Sequence, residues 1–98
     1  AGAGQEAVGD VYADWCVACQ EMARTTFRDA RVIKALAPMR RLQLDLSDNT
    51  PAQRELLQRL KLYGPPAMLF YDHNGDEKQA MRVQSEIGAE ALLKRLGS

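Results

Sequence analysis

Cys16 and Cys19 are the two cysteines of this chain, and they sit in Tyr12-Ala13-Asp14-Trp15-Cys16-Val17-Ala18-Cys19-Gln20-Glu21. Three chemistries are open to thiols at this spacing. They can supply half of a zinc site, staple a loop, or trade electrons as a reversible dithiol/disulfide. Zinc takes four ligands, commonly two such pairs or one pair plus histidines. The chain offers one pair and one histidine, His73, so ligand count speaks against a metal. A bridge across two residues restricts the unfolded chain little, which speaks against a staple. The redox reading is left with most of the weight. It strengthens greatly if the pair lies in the strand-to-helix turn of a βαβ unit.

The flanking sequence places the pair in such a turn. Residues 7–13 read as a short strand, interrupted by Gly9 and Asp10. From Cys16 to about Thr25 the alternation stops and helix formers take over, among them Ala18, Glu21, Met22 and Arg24. Side chains at i and i+3 share a helix face, so the two sulfurs can join and part without refolding. Cys16 would open the helix, where free N–H groups and the dipole favour a thiolate. The thiolate is the attacking species in disulfide exchange. Cys16 is therefore the expected nucleophile and Cys19 the resolving thiol.

The remaining elements frame this turn. Asp29 reads as an N-cap, followed by a short helix over 30–37 closed by Pro38. Residues 41–46 alternate as a strand. Thr50-Pro51-Ala52-Gln53 combines a cap, a proline at the first helical position and a capping box. Leu56, Leu57 and Leu60 then mark the apolar face of a helix running to about Lys61. Tyr63-Gly64-Pro65-Pro66 breaks the chain before a buried strand over 67–71. Asn74-Gly75 signals a hairpin, with 79–84 as the returning strand. A closing helix over 89–96 turns Ala89, Leu92, Leu93 and Leu96 inward and stops before Gly97. The order β-α-β-α-β-β-α predicts an α/β fold with a central mixed sheet and helices on both faces. Its first two strands are parallel through a right-handed crossover.

Bulk properties narrow the function. The chain has 98 residues, 46% apolar and 27% charged, with zero net charge. That is one globular domain, with no electrostatic signature for nucleic acid or an anionic membrane. The longest apolar run, 67–71, is too short to span a bilayer. No basic and apolar leader opens the chain. Residues 1–6 read as a linker or cloning remnant and 7–98 as the domain, so a cut from something larger is expected.

Trp15-Cys16-x-x-Cys19 after a strand, with Gly64-x-Pro66 before a later strand, resembles the thioredoxin superfamily. The run from Tyr12 to Cys19, then Thr26-Phe27 and Val32-x-Lys34-Ala35-Leu36, is similar to the C-terminal periplasmic domains of the DsbD family of transmembrane thiol:disulfide interchange proteins. The resemblance covers about Val8 to Leu96. It implies the thioredoxin fold and a protein-disulfide reductase without added cofactor, the dithiol being the carrier. It implies a periplasmic location within an inner-membrane parent. Electrons would come from the parent's transmembrane domain and pass to its N-terminal domain. From there they would reach periplasmic disulfide isomerases and thioredoxin-like proteins of cytochrome c maturation. No nucleic acid is implied, and the isolated domain is expected to be a monomer.

The resemblance also assigns residues. Asp10, six positions before Cys16, would move protons for Cys19, with burial raising its pKa. Pro66 would be the superfamily's cis proline beside the disulfide, and the Pro65 carbonyl would face a docked partner. Trp15 would shield the disulfide and offer apolar docking surface, against the alternative of a core tryptophan. Asp14, Tyr63 and Phe70 could also border the site, while Met22 and Phe27 read as core. Two positions depart from the family pattern. Ala23 stands where relatives often carry a second acid, and Glu21, roughly 200° away around the helix, cannot replace it. Ser85 stands where glycine is usual. Two other functions compete: a free-standing reductase of broader range, and a non-catalytic binding module with a vestigial pair.

Overall fold

A computed structural model describes residues 5–97. The strand over Ala7–Tyr12 (β1) is the centre of a three-stranded sheet. Arg40–Asp45 (β2) pairs with it in parallel on one side, and Ala67–Tyr71 (β3) antiparallel on the other. Helices Val17–Arg24 (α1), Ala30–Leu36 (α2), Pro51–Leu60 (α3) and Ala89–Arg95 (α4) cover the sheet on both faces. The architecture is the expected mixed α/β sheet.

Side chains alternate along β1, and so divide the core in two. Val8 joins Met22, Val32, Leu36, Met68 and Phe70 on the face covered by α1, α2 and α4. Val11 joins Ala13, Leu46, Leu69 and both cysteines on the other face, where Leu57 and Leu60 of α3 pack. β3 is buried through its first four residues, whereas β2 is a largely exposed edge. Phe27 packs against the first cluster and Met22 lies inside it, as expected.

The helix signals act locally and appear where the sequence places them. The Thr50 hydroxyl accepts from the Gln53 N–H at 3.1 Å, and the Gln53 side chain accepts from the Thr50 N–H at 3.0 Å. Asp29 caps α2 by accepting from the Arg31 N–H at 2.8 Å. The buried Thr26 hydroxyl donates to the Ile87 carbonyl at 2.6 Å, tying the turn after α1 to the approach of α4.

Two expectations change. The returning strand over 79–84 does not form. Its place is taken by two isolated bridges, Met68 to Val83 and Tyr71 to Glu77. Between them the returning segment carries more residues than β3 has opposite, and the surplus winds into a 3-10 turn at Gln79–Met81. Glu, Lys, Gln and Ala there have little preference for a pleated surface. Secondly, Leu56 does not share the inner face with Leu57 and Leu60. It lines a shallow surface hollow with Ala52, Glu55 and Arg59. Within the expected linker 1–6, the Glu6 carbonyl accepts from the Arg40 N–H and its carboxylate pairs with Lys78. Residues 1–4 of the expected linker lie outside the described residues.

Candidate functional site

Cys16 and Cys19 are joined by a disulfide, with Cα atoms 5.2 Å apart. β1 ends at Tyr12, and a turn closed by Cys16 N–H donating to the Ala13 carbonyl delivers Cys16 to the start of α1. Cys16 is the N-cap residue: its backbone is extended and its sulfur accepts from the Cys19 N–H at 3.1 Å. Most N-caps present oxygen to a free helical N–H. Here sulfur takes that place, so charge developing on Cys16 Sγ meets a donor already aimed at it. Cys19 lies one turn inside.

Asp10 sits on β1 between Gln43 of β2 and Met68 of β3. It is half-buried and lines a cavity of about 180 Å³ together with Cys19, Ala23, Phe27, Arg41 and Pro66. Burial raises the Asp10 pKa above its usual value, while the Arg41 cation and a Gln43 hydrogen bond pull it back. Ala23, the departure from the family pattern, lies on this cavity wall. Asp10 is the one carboxylate among the lining residues. The Arg41 guanidinium lies over the Phe27 ring, 5.7 Å from its centroid, at the exposed edge of the cavity.

The other side of the disulfide differs. Trp15 is 56% exposed, so it is not a core tryptophan. Its indole N–H donates to the Ser47 carbonyl at 3.2 Å, and the Ser47 hydroxyl accepts from the Asp14 N–H at 2.8 Å. Asp14 accepts from the Tyr12 hydroxyl at 2.9 Å, the main cause of the raised Tyr12 pKa. Trp15 and Pro65 together wall a groove of about 310 Å³ that reaches Leu57 and Tyr63. The Pro65-Pro66 peptide is cis.

The expected site residues therefore fall into two groups around one bond. Asp10, Cys19 and Pro66 share the cavity, and Trp15 and Pro65 share the groove. Phe70 is buried in the core, away from both. His73 is exposed in its turn, and Ser85 is exposed too. Ser47, Arg41 and Gln43 were not singled out by the sequence. The alternation of β2 held a signal for the last two, because Arg41 and Gln43 are two apart and so share the Asp10 side once the register is known. Among the described residues, no group of three or more His, Cys, Asp or Glu is placed to hold a metal, and no helix is long and apolar enough to cross a membrane.

A reversible disulfide at the start of the helix that follows the central strand defines the class: a thiol:disulfide oxidoreductase domain. The model of the thioredoxin-like domain family matches residues 1–98. The thiol:disulfide interchange protein DsbD 1 of Pseudomonas aeruginosa is 44% identical over 94 residues, which is 96% of this chain but 16% of that protein. The DsbD C-terminal domain of Neisseria meningitidis in the reduced form superposes with a TM-score of 0.81 at 28% identity, covering 98% of this chain and 82% of that one. Its oxidised form gives 0.78 at 31% identity, covering 92% and 76%. The chain belongs to the thioredoxin-like family, within the group of DsbD C-terminal domains.

Proposed function

We propose that this domain relays electrons by dithiol/disulfide exchange, from a membrane-embedded domain of its parent polypeptide to a periplasmic N-terminal domain of the same parent. The observation that carries the reading is the Cys16 sulfur, which accepts the Cys19 N–H as the cap of α1. Its relatives add the context of a much longer protein, of which this chain spans a small part. Through the N-terminal domain the electrons would serve periplasmic disulfide isomerases and cytochrome c maturation.

In the reduced domain the Cys16 thiolate attacks one sulfur of the partner's disulfide. A Cys16–partner bond forms, and the partner's other sulfur leaves as a thiolate. Cys19 then loses its proton and attacks Cys16 Sγ, which restores the Cys16–Cys19 disulfide and expels the second partner sulfur. Two electrons pass to the partner, and two protons end on its thiols. Asp10, in the same cavity as Cys19, accepts the Cys19 proton, and the exposed Arg41 and Gln43 edge opens a route for that proton to water. Trp15 and Pro65 hold the partner chain, and Pro66 closes the cavity beside the sulfurs.

The competing reading is a reductase of broad range. Pre-reduced domain mixed with the parent's N-terminal domain, and separately with insulin, tests between them. Rapid oxidation by the N-terminal domain and slow reduction of insulin are expected. Equal rates with both would replace the relay with the broad reductase.

A further inference from the structure

We propose that the groove between Trp15 and Tyr63 is a specificity pocket. It takes an apolar side chain next to the partner's reactive cysteine, and Arg54 at its rim selects an acidic residue beside that side chain. This rests on the thiol:disulfide reading above and concerns which disulfides that chemistry reaches.

The groove is walled by the chain neighbours of the reactive site. One wall is Trp15, the neighbour of Cys16, and another is Pro65, the neighbour of the cavity-lining Pro66. Leu46 and Leu57 give it an apolar base. At 96% exposure the Tyr63 ring is almost wholly in water, a costly place for a large apolar surface that nothing covers. The Trp15 indole is anchored at its N–H by the Ser47 carbonyl. That anchor leaves much of the ring uncovered and spares a partner the cost of ordering it.

Arg54 supplies the charge. It is the one charged residue lining this groove. Its Nη1 donates to the Asn49 carbonyl at 2.6 Å, and Asn49 turns the chain there with a positive φ of 49°. The guanidinium is thus tied to the Asn49 turn, and both residues line the groove. Arg24, Arg31, Arg59 and Arg82 each pair with a carboxylate. Among the described residues Arg54 has no such partner, as is true of Arg28, Arg40, Arg41 and Arg95, but of these Arg54 alone lines the groove. A held cation beside an apolar pocket is complementary to an apolar residue followed by an acid. An extended segment flanking a disulfide can present both.

The test uses the reduced domain and short peptides whose single cysteine is activated as a thiopyridine mixed disulfide. One set carries Cys-Leu-Asp or Asp-Leu-Cys. The others replace Asp by Lys, or Leu by Gly. Release of thiopyridone gives the second-order rate constant. Leu peptides should react about tenfold faster than Gly peptides, the effect of burying one apolar side chain in part. Asp should be preferred over Lys roughly three- to fivefold, as for an exposed ion pair. In about 1 M salt that charge preference should vanish. Arg54→Glu should reverse the Asp/Lys ratio, and Tyr63→Ala should cut the Leu/Gly ratio to roughly twofold. Each ratio is internal to one variant, so changes in overall activity cancel. Equal rates across the peptides, or an unchanged Asp/Lys ratio in Arg54→Glu, overturn the pocket. Neutral 4,4′-dithiodipyridine separates the two failures. If it reacts while peptides are not distinguished, the pocket alone is wrong. If nothing reacts, the thiol:disulfide reading itself fails.

Discussion

Cys19 borders a small cavity holding a half-buried carboxylate, whereas Cys16 follows Trp15, which walls an open groove with Pro65. The cysteines themselves are covered almost equally, 7% exposed for Cys16 and 5% for Cys19. Exposure in the disulfide therefore does not tell nucleophile from resolving thiol. Their surroundings differ. Cys16 Sγ receives a helical N–H, and Cys19 shares its cavity with the one group there able to take a proton. On the proposed function, the Asp10 cavity would handle the proton and the Trp15–Pro65 groove would recognise the partner, with the disulfide between them.

Removing one sulfur at a time gives the largest expected effect. Cys16→Ser should abolish exchange, a loss of at least about a thousandfold for want of the attacking thiolate. Cys19→Ser should still attack but not resolve. It should accumulate a mixed disulfide through Cys16, visible by mass spectrometry of the acid-quenched reaction. Trapping through position 19 in Cys16→Ser instead would reverse the assignment.

Next come the two walls. Asp10→Asn should slow electron transfer roughly tenfold to a hundredfold, within the range of general-base effects. It should also remove the limb of the pH–rate profile that the wild type owes to Asp10. Trp15→Ala should act differently, raising KM for the partner roughly tenfold and leaving the shape of the profile unchanged. If Trp15→Ala moved the profile or Asp10→Asn changed only KM, the division of labour would be wrong. Asp10 also has a signature in stability. Its folded pKa lies above its unfolded one, so the folded state binds the proton more tightly. Stability then falls as pH rises from the unfolded pKa through the folded one. Asp10→Asn removes this loss. Its melting temperature should exceed that of the wild type by roughly 2–5 °C near pH 7, with the difference shrinking below pH 3.8, the ordinary value for the group.

How far the sequence reaches follows the same division. The strand-to-helix turn, the Asp29 cap, the Thr50 capping box and the β3 run are legible because each signal lies within a few residues of its effect. The pairing of Asp10 with Cys19 came from resemblance, and in the structure both line one cavity. What surrounds the pair was not legible. Arg41 meets Asp10 only through the parallel register, and Ser47 meets Asp14 and Trp15 only because the end of β2 is brought beside the end of β1. The returning strand failed for a related reason. Val83 within it and Glu77 just before it do bridge to Met68 and Tyr71 of β3, but the residue surplus between them is visible only once both bridges are known.

Ser47→Ala probes the recognition side with the smallest expected effect. The Ser47 hydroxyl accepts from the Asp14 N–H and donates to Asp45, and the Ser47 N–H also donates to Asp45 at 2.9 Å. The hydroxyl and then the backbone bond lower the Asp45 pKa. A lowered folded pKa means that stabilisation is present above the unfolded value of 3.8 and lost as pH falls through the folded one. Alanine deletes the larger of these two causes and also frees the Asp14 N–H. The variant should melt roughly 1–3 °C below the wild type at pH 7, and the gap should narrow toward pH 2. The Trp15 anchor is the Ser47 backbone carbonyl, which alanine retains, so partner KM should rise no more than about twofold. A tenfold rise would mean that Asp14, not the indole bond, positions Trp15. A shift in the pH–rate profile would mean that the recognition side reaches Asp10 after all.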